Sequence, residues 1–244
     1  MNSKDLKVSF GKSVLVTTLV LYANFLIRNI EPIALRVALT VLVYLIATLL
    51  IFNFVKNYKS ILNVNVKTVF WSVSGVLGFY LISVVVSITL SLYYEKKISA
   101  PPIVDDFTIV VIIARLLLFP FVEELFFRRT LLEGLSNRYN TKMALLISAI
   151  LFALAHLFTD SALIIVLIYG LFFGYVYLKT KSLINVFILH LLLNTLVFFC
   201  SKKVRLFFSV QSHDESLYIL GITFLIGFGL ITLSLVKLKR GRHR

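Results

Sequence analysis

The chain has 244 residues, 59% of them hydrophobic and 15% charged, and a net charge of +14. Soluble domains are about 45–50% apolar, so this composition excludes an ordinary soluble domain and places the chain among integral membrane proteins. A charge this positive would also suit nucleic acid, but the basic residues fall between apolar stretches. That is where membrane proteins carry cytoplasmic loops facing anionic lipid, so membrane lipid is expected as a partner and nucleic acid is not.

Eight apolar segments follow in chain order: about Val14–Ile27, Ile33–Val55, Val69–Tyr93, Phe107–Leu135, Met143–Phe158, Ala162–Leu178, Leu183–Cys200 and Leu217–Val236. Each approaches the roughly 20 residues a helix needs to cross the hydrocarbon core. The expected architecture is therefore all-α, a polytopic transmembrane helix bundle of about eight spans forming a single membrane domain over residues 1–244. Lys4, Lys7 and Lys12 before the first apolar run mimic a signal peptide, but no small-residue cleavage site follows, so the run reads as a retained span. Cys200 is the single cysteine, which excludes an internal disulfide, and its apolar surroundings suit packing.

The basic residues orient the bundle. With the N-terminus inside, the inner segments hold Lys4, Lys7 and Lys12, then Lys56, Lys59 and Lys67, then Arg128, Arg129, Arg138 and Lys142, then Lys179 and Lys181, and finally Lys237, Lys239, Arg240, Arg242 and Arg244. The outer loops hold fewer: Arg28, Lys96, Lys97, Lys202, Lys203 and Arg205. This asymmetry predicts that both termini are cytoplasmic. Arg36 and Arg115 fall inside apolar segments, near enough to their outer ends to snorkel.

An ionisable group within a span costs about 2.5–3.5 kcal/mol on insertion scales and needs a reason. Of the acids, only Glu123 and Glu124 lie well within an apolar segment; the others, Glu133 among them, fall in loops or near segment ends. His156 and His190 lie in apolar segments, whereas His213 and His243 are in polar ones. At 1.5 Å per residue, Glu123 lies about 18 Å from the inner end of its segment, His156 about 21 Å, His190 about 14 Å and Asn194 about 20 Å. Two carboxylates, two imidazoles and an amide at similar depth are what a buried site requires.

The spacings fit such a site. Glu124 and Arg128 are four apart and share a helix face, so they can pair and leave Glu123 in a different environment. His190 and Asn194 share a face at the same spacing, and Phe152 lies one turn before His156 as a candidate pocket wall. Pro120, which lacks a backbone donor, predicts a kink just before the carboxylates. Gly170 and Gly174 form a Gly-x-x-x-Gly pair that close helix packing explains without chemistry.

These residues carry a resemblance. Glu-Glu-x-x-x-Arg at Glu123, Glu124 and Arg128, Phe-x-x-x-His at Phe152 and His156, and His-x-x-x-Asn at His190 and Asn194 occur in the order found in the CAAX-protease and bacteriocin-processing family, also called Abi. The residue after the arginine is often glycine in that family; here it is Arg129. The motif region, about 107–200, thus resembles an intramembrane peptidase whose site opens toward the cytoplasm. The resemblance implies hydrolysis of a peptide bond near the C-terminus of a membrane-associated protein or peptide. Members of the family remove the last three residues of prenylated CAAX proteins, or act in peptide maturation and in self-immunity against bacteriocins.

By this resemblance Glu123, Glu124, His156, His190 and Asn194 are the catalytic candidates, with Arg128 and Phe152 in support. Glu123 would activate a water with help from His156, while His190 and Asn194 polarise the scissile carbonyl. A metal variant stands beside it, in which His156, His190 and a glutamate, Glu124, hold a divalent ion such as zinc. No His-Glu-x-x-His, Gly-x-Ser-Gly or Gly-x-Gly-Asp occurs to support another intramembrane protease class. Two other classes of function compete: a non-catalytic membrane scaffold or immunity protein that binds a partner, and a proton-coupled transporter. The first should have lost motif residues; the second should show internal repeats or broken helices in corresponding halves.

Overall fold

The computed structural model describes residues 10–27, 29–31, 33–52, 64, 66–94, 112–157 and 162–240. The described chain is helical, with no strand among the described residues: α1 (Phe10–Ile27), α2 (Ile33–Phe52), α3 (Val66–Tyr93), α4 (112–136), α5 (Thr141–Ala155), α6 (Leu163–Thr180), α7 (Leu183–Ser209) and α8 (His213–Arg240). Four of them, α3, α6, α7 and α8, are long and apolar enough to cross a bilayer, and α5 is a shorter apolar helix. The chain is a multi-pass, all-helical membrane protein. The predicted segment ends at Val55, Phe107 and Phe158 lie outside the described residues, as do Lys4, Lys7, Arg28, Lys56, Lys59, Lys96, Lys97, Arg242, His243 and Arg244.

Several helix ends differ from expectation. The fifth segment was expected to run to Phe158, but α5 stops at Ala155, and His156 caps it with φ −99° and ψ 8° rather than sitting within it. The seventh was expected to end at Cys200, but α7 continues to Ser209, so Lys202, Lys203 and Arg205 are helical and not in a loop. Lys and Arg are good helix formers, and their charge ends an apolar run without ending a helix. The eighth gains a turn at each end, and at the first of them Ser212 starts α8: its Oγ accepts from Glu215 N–H, and Glu215 Oε2 accepts from Ser212 N–H. This reciprocal capping box satisfies two otherwise orphaned donors.

The chain divides into two packed units. The first takes residues 1–64 and 108–187, and so contains α1, α2, α4, α5, α6 and the start of α7. α4 is its centre: every residue from Leu125 to Leu135 is buried, which marks a helix enclosed on all sides. Val122 of α4 packs with Val16 and Val20 of α1. On the α5–α6 contact, a Cβ on Gly170 would meet Ala149 Cα at 3.3 Å, so the glycine pair does serve close packing.

The second unit takes residues 65–107 and 188–244. Its α3 and α8 run antiparallel, since Trp71 lies by Lys237, Gly78 by Gly227 and Ile88 by Leu220. The crossing is tight at Gly78, where an added Cβ would stand 2.6 Å from the Gly227 carbonyl oxygen.

Candidate active site

α4 is not a uniform α-helix. A π turn, Ala114–Leu118, precedes the α-helical Phe119–Glu124, and a second π stretch, Leu125–Leu132, follows before α-helical Glu133–Ser136. The first relates to Pro120, whose ring in an unbroken α-helix would press on the carbonyl four residues back and whose nitrogen donates nothing. The wider turn absorbs this: Phe119 N–H donates to the Ala114 carbonyl, five residues back. The interruption predicted before the carboxylates is thus a change of helical register. π turns often mark functional positions, and these two flank Glu123 and Glu124.

The second π stretch spreads the polar residues of α4 into two buried groups. In the first, Glu124 Oε2 accepts from Arg128 Nε at 2.8 Å, both side chains fully buried. The predicted pair therefore exists. One face of the Arg128 guanidinium lies over the Phe152 ring at 4.8 Å, a cation–π contact. Phe152 meets Phe127 edge-on at 5.1 Å and lies 4.8 Å from the His156 ring. Ser148 of α5 donates to the Phe127 carbonyl at 3.1 Å, tying α5 to the π stretch. Residues from α4 and α5 thus form one packed group: Glu124, Arg128, Phe127, Phe152 and His156.

His156 Nδ1 lies 3.0 Å from the Phe152 carbonyl oxygen. A carbonyl only accepts, so Nδ1 carries the proton and Nε2 is the basic nitrogen of the neutral ring. Glu123 precedes Glu124 on α4 and is buried, at 9% exposure. Of the other two candidates, His190 is buried and Asn194 half-buried, one turn apart on the part of α7 that belongs to the second unit.

The second group was missed in the sequence. Glu133, expected near a segment end, is buried: its Oε2 accepts from Arg129 Nη1 at 2.8 Å and its Oε1 from the Tyr177 hydroxyl at 2.9 Å, with Lys181 Nζ at 3.6 Å. Arg129, the departure from the family pattern, is therefore a buried partner of Glu133. The available signal was the four-residue spacing of Arg129 and Glu133, the same that identified Glu124 and Arg128. Lys181 takes a left-handed backbone, φ 53°, which costs a non-glycine residue about 1–2 kcal/mol. Its N–H caps α6 on the Tyr177 carbonyl at 2.7 Å while its ammonium faces Glu133.

Among the described residues no group of three His, Cys, Asp or Glu side chains is placed to share an ion. Glu124, one of the expected ligands, also has its Oε2 committed to Arg128.

Compared with known families, residues 105–196 match the family model described as Type II CAAX prenyl endopeptidase Rce1-like. That stretch carries all three motifs, and the match is consistent with the CAAX-protease family. No curated protein and no solved structure matches the chain.

Proposed function

We infer, from the Rce1-like match over residues 105–196, that the chain is a CAAX-type intramembrane endopeptidase that cuts near the C-terminus of a membrane-associated protein or peptide. The observation that carries this reading is the joining of the first two motifs, far apart in sequence, by the stack of Arg128 on Phe152 and Phe152 on His156. A structural polar cluster needs the Glu124–Arg128 pair. It does not need an adjacent second buried carboxylate, nor a histidine whose Nδ1 is held so that Nε2 is the basic nitrogen.

In the chemistry this reading assigns, Glu123 takes a proton from a water molecule and His156 Nε2 orients that water. The water oxygen adds to the scissile carbonyl carbon. The family motif, rather than any placement here, assigns His190 and Asn194 to the carbonyl oxygen, as donors to the oxyanion. Collapse breaks the C–N bond, and the proton held by Glu123 passes to the leaving amine. Glu124 has a different part: it stays paired with Arg128 beside the reacting groups.

The substrate follows from the setting. A site within apolar helices suits a bond presented by a chain whose lipid-modified or apolar tail lies in the membrane. We place the site on the cytoplasmic side of the cell membrane, and peptide maturation or bacteriocin self-immunity ahead of prenyl-protein processing, by family analogy. The test uses the purified full chain in bilayer discs and two peptides that share one cut region, with and without an apolar C-terminal tail. Mass spectrometry should find a new cut near the C-terminus of the tailed peptide only. Cleavage confined to the untailed peptide contradicts a membrane-fed site, and tight binding of the tailed peptide without cleavage supports the scaffold instead.

A further inference from the structure

One end of the α3–α8 pair gathers cations around the single tryptophan. Lys237 Nζ sits 5.0 Å over the ring of Trp71. Lys67, one turn before Trp71, is exposed, as are Lys239 and Arg240 on the last turn of α8. Residues 66–76 and 230–240 contain no Asp or Glu. Beside these charges the surface is apolar: Val66 is 74% exposed and Phe70 65%, and Phe70 meets Trp71 edge-on at 5.0 Å.

The other end of the same pair is different. Asp214 and Glu215 open α8, Tyr93 ends α3 with Tyr94 just after it, and residues 66–76 and 230–240 at the first end have no such acids. Each helix has 28 residues, about 42 Å at 1.5 Å per residue, whereas the hydrocarbon core is about 30 Å thick. The surplus puts helix ends at headgroup level. Cations in the last turn of α8 also complement its own C-terminal dipole. That explains Lys239 and Arg240 on α8, but not Lys67, Trp71, Val66 and Phe70 on α3.

We propose that the Lys67–Trp71–Lys237 end of the α3–α8 pair, with Lys239 and Arg240, is a binding site for the phosphate headgroup of an anionic phospholipid. The lysines take the phosphate, Trp71 holds Lys237 by its ring face and lies at the level where tryptophan is favoured, and Val66 and Phe70 meet the upper acyl chain. Free phosphate would use the cations and leave the two apolar side chains bare, so the amphipathic ligand fits the surface better. Snorkelling lets Lys237 keep its stem along the helix with its ammonium at the headgroup.

Trp71 is the chain's one tryptophan and reports on its own site. The full chain is reconstituted in phosphatidylcholine bilayers containing either brominated phosphatidylglycerol or brominated phosphatidylcholine, and quenching of Trp71 gives the relative association of the two lipids. The anionic lipid should be preferred by about fivefold or more, the effect of one basic residue near the surface. The preference should fall toward one in Lys237→Gln/Lys239→Gln and, in the unaltered chain, at about 0.5 M salt, where screening shortens to a few ångströms. Inorganic phosphate added to the protein in uncharged detergent should leave Trp71 emission unchanged. A preference of one in the unaltered chain overturns the proposal, and so does a preference that survives both salt and the double substitution. A Lys237-dependent response to phosphate alone overturns the lipid assignment.

Discussion

Arg128 uses its Nε to hold Glu124 and one face of its guanidinium to cover Phe152, so it joins the first motif to the second. Removing it strands a fully buried carboxylate, and Arg128→Ala should cost about 3–5 kcal/mol, read as a large drop in thermal unfolding temperature in detergent. An unfolding temperature equal to the unaltered chain's would show that the pair is not needed. Tyr177→Phe is the milder contrast. It removes one of the hydrogen bonds to Glu133 and should cost about 1–2 kcal/mol, while peptidase activity per folded molecule is kept. The Glu124–Arg128 pair was legible in the sequence because its geometry is local, one helical turn. The stack onto Phe152 was not, because it depends on how α5 packs against α4. The burial of Glu133 was not legible, because position near the end of an apolar segment does not measure burial and α4 is enclosed as far as Leu135.

Helices in a membrane associate by close packing rather than by burying apolar surface from water, so glycines at crossings decide how near they come. The three glycines Gly78, Gly174 and Gly221 should respond differently to alanine. At Gly78 the new methyl meets a backbone oxygen that cannot yield, and Gly78→Ala should destabilise by about 1–3 kcal/mol. At Gly174 it meets the tip of Leu145 at 2.5 Å, a side chain that can turn aside, so the loss should be smaller. At Gly221 nothing lies within 4 Å, and alanine should be neutral or stabilising by up to about 1 kcal/mol through helix propensity. Chemical denaturation of the three variants would rank them, and Gly221→Ala as the worst would contradict the packing described. Apolar runs gave the helices in order, but their ends less well. Charge at Lys202 ends hydrophobicity and not helicity, and the two π stretches of α4 left only the Pro120 signal in the sequence.

For the whole molecule, the all-helical membrane class was legible from composition alone, and the likeness of residues 105–196 to the CAAX endopeptidase family model from three spaced motifs. Orientation rests on the distribution of Lys and Arg, including the basic end of α8. Reporter fusions beside Ser3 and beside Arg240 should both read cytoplasmic, and an outside reading at either end contradicts the inferred topology. In the proposed function Glu123 is the base of a peptidase, distinct in role from its ion-paired neighbour. The measurement that tests it most directly is cleavage of a tailed peptide by the purified chain and by Glu123→Gln, with unfolding temperature recorded for both. The substitution keeps shape and removes the base, so cleavage should fall by about 10²–10⁴-fold while the unfolding temperature stays near that of the unaltered chain. A folded Glu123→Gln protein that cuts at nearly the original rate would contradict the account.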